Sequence, residues 1–136
     1  MTGETNLELL LENMRPEMSK GIFAFCTIPV DADIPANISP IHIFREREGT
    51  TLVVSREEAE RVWLAYQFVS RLITLTVHSS LDAVGFLAAV TARLAQAGIG
   101  VNAVSAFYHD HLFVPHDRAD EALRLLRAMS SRDAGQ

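Results

Sequence analysis

The feature that most constrains this chain is an internal repeat. Thr51-Leu52-Val53-Val54 running on to Ala59 is matched by His111-Leu112-Phe113-Val114 running on to Ala119, at an offset of 111 − 51 = 60 residues. Each copy reads as a polar reversal, an apolar strand, a capping residue and the start of a helix. The strands that open the two copies, Ile22 onward and Ile73 onward, align at an offset of 73 − 22 = 51. The first copy is therefore shorter by 60 − 51 = 9 residues, most of a helix, between its first strand and its hairpin. With 136 residues and 49% hydrophobic content, the chain can bury one respectable core or two small ones.

The second copy is the more regular. Leu72-Ile73-Thr74-Leu75-Thr76-Val77-His78 alternates apolar residues and Thr, the pattern of a strand with one buried face. Ser79, Ser80 and Asp82 are residues that favour helix N-caps, and Val84, Leu87, Ala88, Thr91, Leu94 and Ala95 fall on one helical face, predicting a helix over 83–97 that Gly98 ends. Ile99 to Phe107 reads as a strand, Tyr108-His109-Asp110 as a reversal and His111 to Pro115 as a third strand. Asp117 then caps a helix over 117–128 with core residues Ala119, Ala122, Leu123, Leu126 and Met129. After Met129 there is no candidate for a closing strand, so that place is expected to stay empty or to be filled from elsewhere in the chain or from a partner.

In the first copy, Gly21 to Ile28 reads as a strand and Pro29 to Pro40 as a loop in place of a helix. A hairpin turns at Glu48-Gly49-Thr50, and Ser55 with Glu58 forms a capping box opening a helix through Trp63, whose ring is expected in the core. Leu7, Leu10, Leu11 and Met14 predict a short amphipathic helix ending before Pro16. The expected organisation is an N-terminal helical segment 1–20, a first unit 21–66, a second unit 67–129 and a frayed tail 130–136. Both units are expected to be α+β, with helices on one face of an antiparallel sheet.

At the strand–helix junction of the second copy the chain resembles a known family. Asp82, Gly85 and Leu87 in an Asp-x-x-Gly-x-Leu turn, Ala97-Gly98-Ile99 at the helix end and Asn102 soon after are similar to the ACT domain, with Val84 where many members carry Pro. Ser79 to Gly85, together with His109 to Pro115, is similar to small stand-alone bacterial proteins with tandem ACT-like units. The resemblance implies two ferredoxin-like βαββαβ units, the first with a curtailed first helix, and a regulatory, non-catalytic role. It also implies a free amino acid as ligand, held by Asp82, Val84, Gly85 and Asn102; Ala83, Tyr108 and His109 complete the expected ligand-binding set.

The residues themselves support that chemistry and also a plainer one. A helix N-terminus offers unpaired N–H groups to a carboxylate, Gly85 permits close approach, Asn102 can both donate and accept, and Asp82 can offset an ammonium. Alternatively Asp82 caps, Gly85 lets the helix pack closely, Asn102 holds a turn, and the protein is a ligand-free interaction module that dimerises by edge pairing.

Other classes find little support. Net charge −5 with a single lysine, Lys20, argues against nucleic acid. No apolar run approaches the length of a membrane span, and the acidic N-terminus is unlike a signal peptide, so a cytoplasmic protein is expected. Cys26 reads as a small packed hydrophobe. His109-Asp110-His111 could chelate a metal only with a third ligand, and Ser79 and Ser80 lack a nucleophile elbow. No metal, cofactor or catalytic residue is expected, and a homodimer is.

Overall fold

A computed structural model describes residue 3 and residues 5–130. The tail expected to fray lies, from 131 onward, outside the described residues. The chain divides into two compact units, one formed by 1–20 with 71–136 and the other by 21–70.

The first of these opens with helix α1 (Leu7–Asn13), whose Asn6 side chain accepts the Leu9 N–H, and strand β1 (Pro16–Met18). Strand β5 (Gln67–Leu75) enters this unit at Arg71 and is followed by helix α3 (Phe86–Gln96), strands β6 (Asn102–Ser105) and β7 (Asp110–Pro115), a 3-10 turn at His116–Arg118 and helix α4 (Ala119–Ser130). The strand order is β1-β5-β7-β6. The place that the sequence leaves without a strand after Met129 is filled by β1, pairing Pro16 with Leu75 and Met18 with Ile73. Three residues carry too little pattern to read as a strand. The N–H and hydroxyl of Thr76 both donate to the Arg15 carbonyl, extending that pairing.

All three helices cover one face. Ile73, Leu75, Leu112 and Val114 from the strands meet Leu10 and Met14, Phe86, Val90 and Leu94 of α3, and Ala119, Ala122 and Leu126 of α4. The α4 face is as the spacing predicts. In α3 the helix starts at Phe86 rather than 83, and the buried stripe is Phe86, Val90 and Leu94, while Ala88 and Ala95 face solvent. Asp117 sits in the 3-10 turn before α4 rather than capping it.

The second unit contains strand β2 (Phe23–Ile28), strand β3 (His42–Arg45), strand β4 (Thr50–Ser55), helix α2 (Arg56–Arg61) and the first residues of β5, in the order β3-β4-β2-β5. Between β2 and β3 there is no helix, as the Pro-rich composition implies. The capping box is present: Ser55 Oγ accepts the Glu58 N–H at 3.1 Å and Glu58 Oε1 accepts the Ser55 N–H at 3.3 Å. Cys26, Ile28, Ile38, Leu52, Val54 and Ala59 form the core. Trp63 is not part of it; it follows the end of α2 with φ 62° and is 93% exposed. Helix spacing alone places residue 63 inward, but the chain has already left the helix. Beyond it, β5 pairs with β2 through a bulge at Phe68, itself at φ 54°, whose ring packs edge-on against Phe25 at 5.7 Å.

Candidate functional site

The loop from Thr76 to Gly85 joins β5 to α3. Its shape is set by Ser80, whose hydroxyl accepts the Asp82 N–H and whose carbonyl accepts the Ala83 N–H, both at 3.0 Å. Ser80 thus organises a turn instead of capping the helix. Gly85 is the N-cap, with φ 90°, a conformation L side chains rarely adopt; a Cβ there would also lie 3.7 Å from Leu7 Cδ2. No side chain caps α3, so the first N–H groups, at Phe86 and Leu87, have no partner within the helix.

Two cavities flank this loop. The inner one, about 80 Å³, lies between Ser79, Ser80, Ala83, Phe86 and Leu87 on one side and Ser105, Ala106 and Asp110 of the β6–β7 hairpin on the other. Asp110 is 7% exposed, and its Oδ1 accepts the Ser105 hydroxyl at 2.6 Å. The outer cavity, about 170 Å³, is lined by Gly3, His78, Ser79, Ser80, Leu81, Asp82 and Phe107. It is comparable to an engineered cavity of about 150 Å³ that accepts benzene. Gly3 runs so close to the loop that a Cβ would come within 2.6 Å of the His78 carbonyl oxygen.

The residues singled out in the sequence divide between these places. Ala83 lines the inner cavity, Asp82 the outer one, and Gly85 is the hinge into α3. Val84 is 83% exposed beside it. Tyr108 is exposed at the hairpin tip, with its ring 5.5 Å from that of His78 and 5.0 Å from that of Phe107. His109 is half-buried and places Nδ1 3.4 Å from the Val77 carbonyl oxygen. Asn102 is not brought to this junction. It begins β6 opposite Phe113, whereas the cavity is at the other end of that strand, where Ser105 faces Asp110. Three residues of strand span about 10 Å, and their odd number turns Asn102 to the opposite face from Ser105.

Sequence reading missed Ser105 and Asp110. The reversal read at 108–110 is one residue late: the turn closes with the Ala106 N–H on the His109 carbonyl, and Asp110 is already in β7. The repeat carried the signal, because Asp110 falls 60 residues after Thr50, the buried first residue of β4.

On the alternate face of β7, burial pushes the His111 imidazole below its ordinary pKa; His109 adds to this and Asp110 opposes it. His111 Nδ1 shares a 2.9 Å hydrogen bond with the Thr74 hydroxyl. Among the described residues, no group of three or more His, Cys, Asp or Glu is placed to hold a metal ion. Nor is any described helix long and apolar enough to cross a membrane.

Family models of the ACT domain match residues 2–71 and 67–128 in tandem. The chain belongs to the ACT-domain family. Among solved structures it is similar to a Vibrio cholerae protein of unknown function, described as a possible transport protein, at 42% identity over 91% of this chain and 95% of that one, with a TM-score of 0.81. An Agrobacterium tumefaciens protein shares the fold at 19% identity, covering 86% and 89% of the two chains with a TM-score of 0.73. The regulatory subunit of aspartate kinase from Thermus flavus does so at 12% identity, covering 84% and 95%, with a TM-score of 0.62. No curated protein matches the chain. Both ACT units are thus ferredoxin-like, the first-strand place of one and the last-strand place of the other being taken by successive parts of β5.

Proposed function

We propose that this ACT protein is a non-catalytic, cytoplasmic regulator that binds a free amino acid at the Ser79–Leu87 junction. The observation carrying this reading is the inner cavity, which combines uncapped N–H groups at the start of α3 with hydroxyls and a carboxylate across from them. The N–H groups suit a carboxylate, and the hydroxyls and Asp110 suit an ammonium. Asp82, Tyr108 and the outer cavity then receive whatever projects outward. Membership of a family whose domains commonly sense amino acids in regulatory settings points the same way. Binding regulates only so far as the ligand prefers one state of the protein, such as one homodimeric arrangement, over another.

A second reading, a dimerisation module needing no ligand, draws on β3, an edge strand of its unit that presents Ile43 and Phe44 to solvent, the latter 60% exposed. A thermal-shift screen of the free amino acids separates the two. A ligand at 100 times its dissociation constant stabilises by about 2.7 kcal/mol, which the regulator reading expects for at least one amino acid; no shift with any favours the dimerisation module.

A further inference from the structure

Asp110 is a buried carboxylate that no lysine or arginine among the described residues offsets. It is 7% exposed, and among the described residues its carboxylate has one hydrogen-bond partner, the neutral hydroxyl of Ser105. His111, the next residue of β7, projects from the other face of the strand, although Asp110 still opposes the fall in its pKa, and His109 lies in the turn before the strand with Nδ1 toward the Val77 carbonyl. A charge taken out of water is costly unless it is paired. Yet the carboxylate is not sealed into the core: it lines the inner cavity of about 80 Å³, well above the roughly 10–15 Å³ that admits a water. Ser79 and Ser80 stand across from it, adding hydroxyls that can accept hydrogen bonds. At the equivalent position 60 residues earlier the other unit buries Thr50, so the strand does not need a carboxylate there to fold.

We infer that Asp110, held in place by Ser105, is the group that reads a ligand's primary ammonium, and that the inner cavity therefore selects amines over otherwise identical compounds that lack one. This rests on the amino-acid reading above and deepens it: the ligand must carry a free, protonated amino group, which excludes 2-oxo acids and N-acylated amino acids with the same side chain. Ser105 is a positioning residue, since its hydroxyl fixes Oδ1 and leaves the second carboxylate oxygen for the ammonium.

The test is calorimetric titration of the full chain with the free amino acids, with the 2-oxo acid matching each one that binds, and with ethylammonium. The parent protein should bind at least one amino acid and bind its 2-oxo acid at least about tenfold more weakly, the loss expected when a charged hydrogen bond is removed. Asp110→Asn keeps an acceptor for Ser105 but removes the charge; it should lose at least about tenfold in amino-acid affinity and bind amino acid and 2-oxo acid alike. Asp110→Thr, which installs the residue of the equivalent strand, serves the same purpose if the amide does not fold. Equal binding of an amino acid by parent and both variants overturns the role of Asp110 while leaving the amino-acid reading standing. Binding of ethylammonium by the parent, lost in the variants, with no amino acid bound, upholds Asp110 and removes the amino-acid reading. Absence of binding by all these compounds removes both.

Discussion

The two units support the same strand order by different means. In the unit containing the termini, the crossover from first strand to hairpin is α3, which sinks Phe86, Val90 and Leu94 into the core at no more than 2% exposure each. In the other unit the crossover is the segment 29–40, which contributes Ile38 and half-buried Ile34 and is otherwise held by polar links. The Ser39 N–H donates to Glu58 Oε2 at 2.7 Å, and Arg61 Nη2 donates to the Asn37 carbonyl at 2.8 Å. Glu58 therefore serves both its own helix cap and the loop; slight burial works against its charge, but the bonds from Ser39 and Ser55 outweigh that and hold its carboxyl below the usual range. The loop has its Ser39 N–H and Asn37 carbonyl taken up by side chains of α2, whereas α3 starts at a glycine with no side-chain cap and leaves its first N–H groups unpaired within the helix. The difference is why the proposed site is placed in one unit of a duplicated fold.

The most damaging way to break this comparison is to truncate the apolar crossover. Leu94→Ala removes a fully buried side chain from a packed core and should cost about 3 kcal/mol, within the range of 2–5 for such changes. Ile38→Ala lies on a loop able to settle inward and should cost distinctly less, toward the lower end of that range. Urea denaturation of both variants measures the difference, and equal losses would mean that the loop is as firmly built as the helix.

Much of this asymmetry is legible in the chain. The nine missing residues of the repeat locate the absent helix, and the Ser55–Glu58 spacing gives the cap that replaces its support. Four things are not legible. Pro16–Met18 completes a sheet by pairing with residues nearly sixty positions away, which no local periodicity encodes. Trp63 leaves the core because α2 stops after six residues, and the ends of short helices are poorly marked by apolar spacing. Asn102 sits at the right distance in sequence from Gly85 but at the wrong end of its strand, because the reach of the 97–101 connection is set by packing and not by motif. Asp110 was hidden for a related reason: a one-residue shift in a turn decides whether an aspartate faces water or the interior.

A sharper test acts on the joint that makes α3 possible. Gly85 holds φ 90°, and the ψ of −12° beside it turns the chain directly into the helix. An L-residue in left-handed backbone costs roughly 1–2 kcal/mol, so Gly85→Ala should destabilise by about that amount even though a Cβ meets nothing closer than 3.7 Å. The cost comes from the backbone, and Leu7→Ala made together with it should not relieve it. Thermal denaturation of single and double variants decides; recovery in the double variant would assign the effect to crowding instead.

The smallest expected effect concerns pH, and it too separates the units. Position 111 is His in one unit where the other has Thr51, whose hydroxyl donates to Glu46 Oε1 at 2.8 Å. Burial holds His111 below its ordinary pKa of 6.5, so between the folded value and 6.5 the unfolded chain binds more protons than the folded one. Stability linked to this residue is therefore fully present above pH 6.5 and is lost as the pH falls through the folded value. A single fully linked proton would contribute about 1.4 kcal/mol per pH unit, and the ring is exposed enough that solvent screening leaves only a fraction of this. Comparing parent and His111→Thr between pH 7.5 and pH 5 isolates that fraction from the other histidines. The parent should lose more stability than the variant over this range, with the curves parallel above pH 7. Curves parallel throughout would show that the Thr74 hydrogen bond serves the charged ring as well as the neutral one.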